Sequence, residues 1–195
     1  MSDLLIVENA LKNFSTMSTE AFRLSASFWQ SRDYKKGESY NSINQVCKQL
    51  GFVLKGVFRT FHFDDESGEE KNLFFYSANQ IVVSFASFIN QMPCHYYTQA
   101  MVDSKVIYLN YEHLSQLYRT SHEWEHFGRI LAEQASNIAF DRTESLLFQS
   151  AEQRYLNFQS HHPQLINEIP LYHISSYLGI QGPSLSRIRK KIAGR

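Results

Sequence analysis

Two stretches of this chain hold residues whose types and spacing could do chemistry. In the first, His122-Glu123-Trp124-Glu125-His126 sets two histidines four residues apart around a glutamate. On a helix both rings would share one face and could hold zinc, with Glu123 as general base and Glu144 as a conceivable third ligand. Glu125 argues against this, because zinc-peptidase helices carry an apolar residue at that position, and Trp124 and Phe127 already account for the packing. Ordinary exposed histidines are the expectation, and metal binding is not expected at the loop pair His161-His162 before Pro163 either. Cys47 and Cys94 are the only cysteines, too few for a disulfide framework or for the four thiolates of an ordinary iron–sulfur cluster. They are expected to be small buried side chains. No phosphate-cradling glycine loop or nucleophile elbow is present. No cofactor, metal or enzymatic activity is expected.

The second stretch is the C-terminus. After Glu168 there is no acidic residue, while Arg187, Arg189, Lys190, Lys191 and Arg195 are basic. The 27 residues 169–195 thus carry +5, and the remaining 168 hold 14 basic and 19 acidic residues, which brings the whole chain to zero. Such asymmetry suits a polyanionic partner, although the helix dipole also favours a basic C-terminal end. Ile174, Leu178, Ile180, Leu185, Ile188 and Ile192 are spaced as two short helices closing over one small core. Gly179 falls where the first must end and turn. Pro183 suits the first position of the second helix, with Gly182 as N-cap. This is the helix-turn-helix pattern, in which the second helix enters the DNA major groove. Its outward residues are Ser184, Arg187, Lys190 and Lys191, with Ser186 and Arg189 at the margins. A solvated basic helix packed on its own domain would share that spacing.

These residues need elements to hold them. Hydrophobic residues make up 43% of the 195 and charged residues 19%, which describes a core-forming globular chain. No apolar run reaches the roughly 18 residues of a membrane helix, and the N-terminus lacks a secretion-signal pattern. A cytoplasmic protein is expected. Residues 1 to about 33 read as helical, through Leu4, Leu5, Val7 and Leu11 and then Phe22, Leu24 and Phe28. Lys35-Lys36-Gly37-Glu38 is a turn, and short β-type runs follow: residues 52–61, 73–76, 81–85 and 106–109, with a polar turn at 64–68. Asn110 could cap a helix to about Tyr118. A longer helix runs from about Ser121 to Phe148, where Trp124, Phe127, Leu131, Ala135 and Ile138 form an apolar stripe. Periodicity does not separate core packing from a dimer seam; a dimer seam is the expectation. Ser150 with Gln153 is a capping-box pattern, marking a fresh helix and a boundary near residue 149.

Residues 150–192 closely resemble the DNA-binding half of the cyclic-AMP receptor/fumarate-nitrate regulator (Crp/Fnr) family, in its Bacteroidetes-type form. The resemblance rests on Ser150-Ala151-Glu152-Gln153-Arg154-Tyr155, on the run from Pro170 to Ile180, and on the run from Ser184 to Lys191. Lys36-Gly37-Glu38, Lys55-Gly56, Pro93 and Gln99-Ala100 fit the family's β-roll, so the likeness spans about 20–192. It implies an α+β protein in three parts. Residues 1–118 would be a cyclic-nucleotide-binding-like β-roll (jelly roll) with N-terminal helices, 119–148 a dimerisation helix, and 149–195 a helix-turn-helix without a full wing. It also implies a homodimer on double-stranded operator DNA, with RNA polymerase as a further candidate partner. Arg187 would read a base, Gln181 and Ser184 would approach phosphates, and Ser186, Arg189, Lys190 and Lys191 would complete the surface. Gln181 and Pro183 depart from the family's usual threonine and glutamate, so the operator cannot be copied from relatives.

By the same resemblance the effector pocket would involve Val83, Ser84, Phe85, Cys94 and His95. Val83-Ser84 stands where nucleotide-binding members have glycine-glutamate, and Cys94-His95 where they have arginine-serine. From Asn72 to Val102 there is no Asp, Glu, Lys or Arg, and His95 is the one local candidate for a positive charge. A buried phosphate without a cationic partner is costly, so the expected effector is an uncharged or aromatic small molecule, or none. The alternative is a small-molecule- or partner-binding β-roll protein whose terminal helices no longer bind DNA.

Overall fold

The computed structural model describes residues 3–194. In chain order they form α1 (Asp3–Ser15), α2 (Thr19–Arg23), β1 (Gln30–Tyr34), β2 (Ser39–Asn41), β3 (Gln49–Lys55), β4 (Phe58–Asp64), β5 (Glu69–Tyr76), β6 (Ile81–Val82), α3 (Phe85–Asn90), β7 (Tyr97–Ala100) and β8 (Ser104–Asn110). Helices follow: α4 (Tyr111–Thr120), α5 (His122–Phe148), α6 (Ala151–His161), α7 (Leu165–Glu168), α8 (Leu171–Leu178) and α9 (Gly182–Ala193). The strands make two four-stranded sheets, ordered β1-β8-β3-β6 and β2-β7-β4-β5. The chain divides into two compact units, one ending at Thr60 and resuming over Phe75–Ser136, the other comprising Phe61–Phe74 and the chain from Asn137.

Several elements differ from the sequence expectation. The N-terminal helical reading to residue 33 stops at Arg23, and β1 begins at Gln30. In β1 only Tyr34 is buried, so the strand has no apolar alternation to betray it. Its antiparallel register on β8, Gln30↔Tyr108 to Tyr34↔Ser104, makes it a strand. The expected run 52–61 is two strands because Gly56 sits between them at φ +101, where a Cβ would lie 2.7 Å from the Ser104 Cα. Residue 85, expected at a strand end, starts α3, since β6 pairs with β3 over only two residues, Gly51↔Val82 and Phe52↔Ile81. Asn110 does occupy the N-cap position of α4, but its side chain makes no capping bond.

The first unit is cored by aromatic contacts. Tyr34, Tyr40 and Phe58 meet with ring centroids 5.4–6.1 Å apart. Trp124 and Phe127 are buried in the same cluster as Val7, Leu11 and Phe22, and the Trp124 indole N–H donates to Ala21 O at 2.9 Å. Complete burial of one such side chain contributes about 1.5–3 kcal/mol. This corrects the stripe reading: Trp124, Phe127 and Leu131 belong to the chain's own core.

In the second unit Tyr155, Phe158, Leu165, Ile169, Ile174, Leu178 and Leu185 are buried. Ser150 and Gln153 form the anticipated capping box at the start of α6. The α5 residues of this unit leave Ile138, Phe140, Leu147 and Phe148 exposed. Among the described residues no helix is long and apolar enough to cross a membrane.

Candidate functional site

The basic C-terminal residues ride on a tight pair of helices. α8 ends at Gly179 in the left-handed region (φ 64°), and Ile180 N–H returns to Ser175 O at 3.0 Å. A side chain at that backbone conformation would be strained. α9 starts at Gly182 with Gln181 as N-cap, which corrects the expected Gly182 cap and places Pro183 one residue deeper. Gln181 makes no side-chain capping bond, so the helix N-terminus is not closed by its own cap. Leu185 is the buried anchor of α9. Gln181, Ser186, Arg187, Lys190 and Lys191 are exposed, and Ser184 and Arg189 are half-buried.

Electrostatics divide this set further. Lys191 Nζ lies 2.6 Å from a Glu152 carboxylate oxygen, tying α9 to α6 and neutralising that charge. The Arg187 Nε–H donates only a long 3.4 Å bond to Pro183 O on its own helix. The carbonyl end of α8 is held by two arginines that sequence reasoning missed. Arg142 stacks over the Tyr177 ring, 4.1 Å from its centroid, and donates to the Tyr177 carbonyl. Arg154 Nε–H donates to Leu178 O at 2.8 Å and its Nη1–H to Gln149 O at 2.6 Å. Burial lowers the Arg142 pKa from its ordinary value. Nothing in the sequence separates these two from solvated helix arginines; their roles are tertiary.

The expected pocket residues fall into two groups. Val83, Ser84 and Cys94 are buried and Phe85 is half-buried, whereas His95 is exposed. Ser84 Oγ lies 3.4 Å from Thr98 Oγ1, which lies 2.8 Å from Thr60 Oγ1, so this interior is a chain of hydroxyls. The Cys94 thiol donates to Tyr96 O at 3.3 Å. Burial raises the Cys47 pKa and pushes that of Tyr76 up to about 12, keeping both neutral at pH 7. A cation the sequence reading did not consider is Arg59 of β4, buried and donating to Gln99 Oε1 at 3.0 Å. Its position 40 residues from Gln99 in the chain hid the pairing.

The two-histidine motif is used structurally. Glu123 accepts from Ser18 N–H at 2.6 Å and from Ser18 Oγ–H at 2.9 Å, next to the start of α2. These bonds hold its pKa below the usual carboxylate value. His122 projects into solvent, and His126 Nδ1 lies 2.8 Å from Arg129 Nη2. Among the described residues no group of three or more His, Cys, Asp or Glu could hold a metal ion.

Residues 31–121 match the family model of the cyclic nucleotide-binding domain. No curated protein sequence matches the chain. Among solved structures, FixK2 from Bradyrhizobium japonicum superposes with a TM-score of 0.73 at 14% identity, covering 85% of either chain. A protein from Eubacterium rectale assigned to the Crp/Fnr family of transcriptional regulators gives 0.70 at 18%, covering 95% of this chain and 88% of that one. The c-di-GMP responsive global regulator CLP of Xanthomonas campestris gives 0.67 at 16%, covering 91% and 92%. The fold is thus a β-sandwich of the cyclic nucleotide-binding type followed by C-terminal helices, as in Crp/Fnr structures.

Proposed function

We propose that the protein is a sequence-specific DNA-binding transcriptional regulator of the Crp/Fnr type, acting as a homodimer, with α8 and α9 as its helix-turn-helix. The observation that carries this reading is the α8–Gly179–α9 pair, with Gln181 at an uncapped helix N-terminus and Ser186, Arg187 and Lys190 exposed along the second helix. An open helix N-terminus favours phosphate, and an arginine in the major groove can pair bidentately with guanine. Ser184 and Arg189 flank these contacts, and Lys191 reaches the backbone only by leaving Glu152. The homodimer would use the exposed Phe140, Leu147 and Phe148 of α5. Residues 1–118 then serve as sensor, 119–148 as dimer helix and 149–195 as DNA-binding domain, in the Bacteroidetes-type form.

The effector is not an ordinary cyclic nucleotide in this reading. Val83, Ser84 and Cys94 are buried, with Ser84 in the hydroxyl chain through Thr98 to Thr60. His95 is exposed, and the buried Arg59 already donates to Gln99. A ligand there would be uncharged.

Fluorescence anisotropy on duplexes from the region upstream of the gene and on a scrambled control, at two salt concentrations, tests the reading. Tight, salt-sensitive binding that prefers the native duplex is expected. Arg187→Ala should cut that preference about ten- to hundredfold. Equal binding to both duplexes, unchanged in the variant, would leave instead a β-roll protein with vestigial terminal helices.

A further inference from the structure

The chain passes between its two compact units at three places: after Thr60 in β4, after Phe74 in β5 and after Ser136 in α5. Within the second unit, the hairpin end and Arg142 of α5 both contact one element, α8. β5 is the outer strand of its sheet, and an outer edge presents main-chain groups with no further strand beside them. Ser176 of α8 occupies that edge. Its Oγ–H donates to Glu70 O at 2.7 Å, and its oxygen accepts from Asn72 N–H at 3.0 Å. One turn earlier, the buried His173 sets Nδ1 3.3 Å from Asn72 Nδ2 and 4.0 Å from a Glu70 carboxylate oxygen. On the α5 side, Arg142 grips the ring and the carbonyl of Tyr177.

We propose that Ser176 is a positioning residue for the recognition helix. A hydroxyl donates and accepts at once, so this single side chain joins two main-chain groups of the strand edge to the helix. That clamp sets the direction of α8 and, through the Gly179 turn, the direction of α9. It does not occlude the binding surface: with the clamp closed, Ser186, Arg187 and Lys190 stay exposed. Its role is therefore orientation. Reading two half-sites about one DNA turn apart requires both recognition helices at fixed angles. A displacement of the β4–β5 hairpin would then reach the DNA-reading side chains without any ligand near them.

The inference rests on the DNA-binding reading, and the test separates the two. Wild type, Ser176→Ala and Ser176→Thr are compared by anisotropy on native and scrambled duplexes, by thermal unfolding, and by hydrogen exchange at the Asn72 amide. Ser176→Ala should lose about tenfold of the preference for the native duplex, the size expected when two half-buried hydrogen bonds are unmade. The Asn72 amide should exchange faster in that variant, and Ser176→Thr, which keeps the hydroxyl, should restore both while the unfolding midpoints stay close. If Ser176→Ala does not fold, Ser176→Cys carries the same comparison. Preference retained in the variant overturns the clamp and leaves the DNA reading standing. A wild type without preference for the native duplex overturns both.

Discussion

Between His122 and Leu131, α5 buries Trp124, Phe127 and Leu131 to 9% exposure or less, whereas Ile138, Phe140, Leu147 and Phe148 on the same helix are 52–78% exposed. Both halves carry enough apolar residues for a packed face, and they fall in different compact units. The first half packs its stripe against the chain's own aromatic core, where Phe14, Trp124 and Phe127 touch ring to ring at 5.5–5.6 Å. The second half offers its apolar side chains to no core of its own. A helical period identifies a face but not what covers it, because the chain's own core and a second subunit reward apolar side chains through the same loss of water contact.

The largest effect that would break this comparison is Trp124→Ala. It should destabilise the protein by about 3–5 kcal/mol in urea unfolding, as deletion of a fully buried aromatic does. Phe148→Ala, on the exposed half, should stay within about 0.5 kcal/mol at concentrations too low for dimers. A similar loss at both positions would mean that the two halves are packed alike. Next in size, Phe140→Ser with Leu147→Ser should weaken self-association at least about thirtyfold in sedimentation equilibrium, the loss typical of interface anchors. An unchanged dimer would move the seam to another face.

The smallest effect sharpens the contrast through pH. Burial, and secondarily the neighbouring His161, lowers the His162 pKa from its ordinary value. The unfolded chain therefore binds the proton more readily than the folded one, near pH 6.5. Stability from the neutral ring is complete above that pH and declines as pH falls below it. Unfolding at about pH 7.5 and about pH 5.5 should show a smaller decline for His162→Gln than for wild type. Equal declines would show that the ring's burial is not linked to folding.

Legibility differed by element for physical reasons. The capping box at Ser150 and Gln153 and the glycine turn at 179 were readable because each is closed by residues within a few positions in sequence. β1 was not, since a strand with a single buried residue exists only through β8, 70 to 78 residues away in register. Gly56 was read inside one continuous strand and matched only by family resemblance; its necessity comes from Ser104 across the sheet. Among the site residues, Arg187 and Lys190 were marked by type and spacing and are exposed, whereas Lys191 looked equivalent until Glu152 was brought to it.

The sequence by itself determined the local devices: the Ser150–Gln153 capping box, the Gly179 turn, the basic α9 and the charge-free segment 72–102. Each depends on neighbours a few bonds away, where backbone geometry leaves few choices. Only the tertiary structure decided what those devices face. It closed the Ser84–Thr98–Thr60 hydroxyl chain, spent Glu123 on Ser18, and set Ser176 against the β5 edge. These contacts join residues from 14 to 106 positions apart, and no local propensity encodes them. They form because burying the core brings the polar groups together, and each must then find a partner.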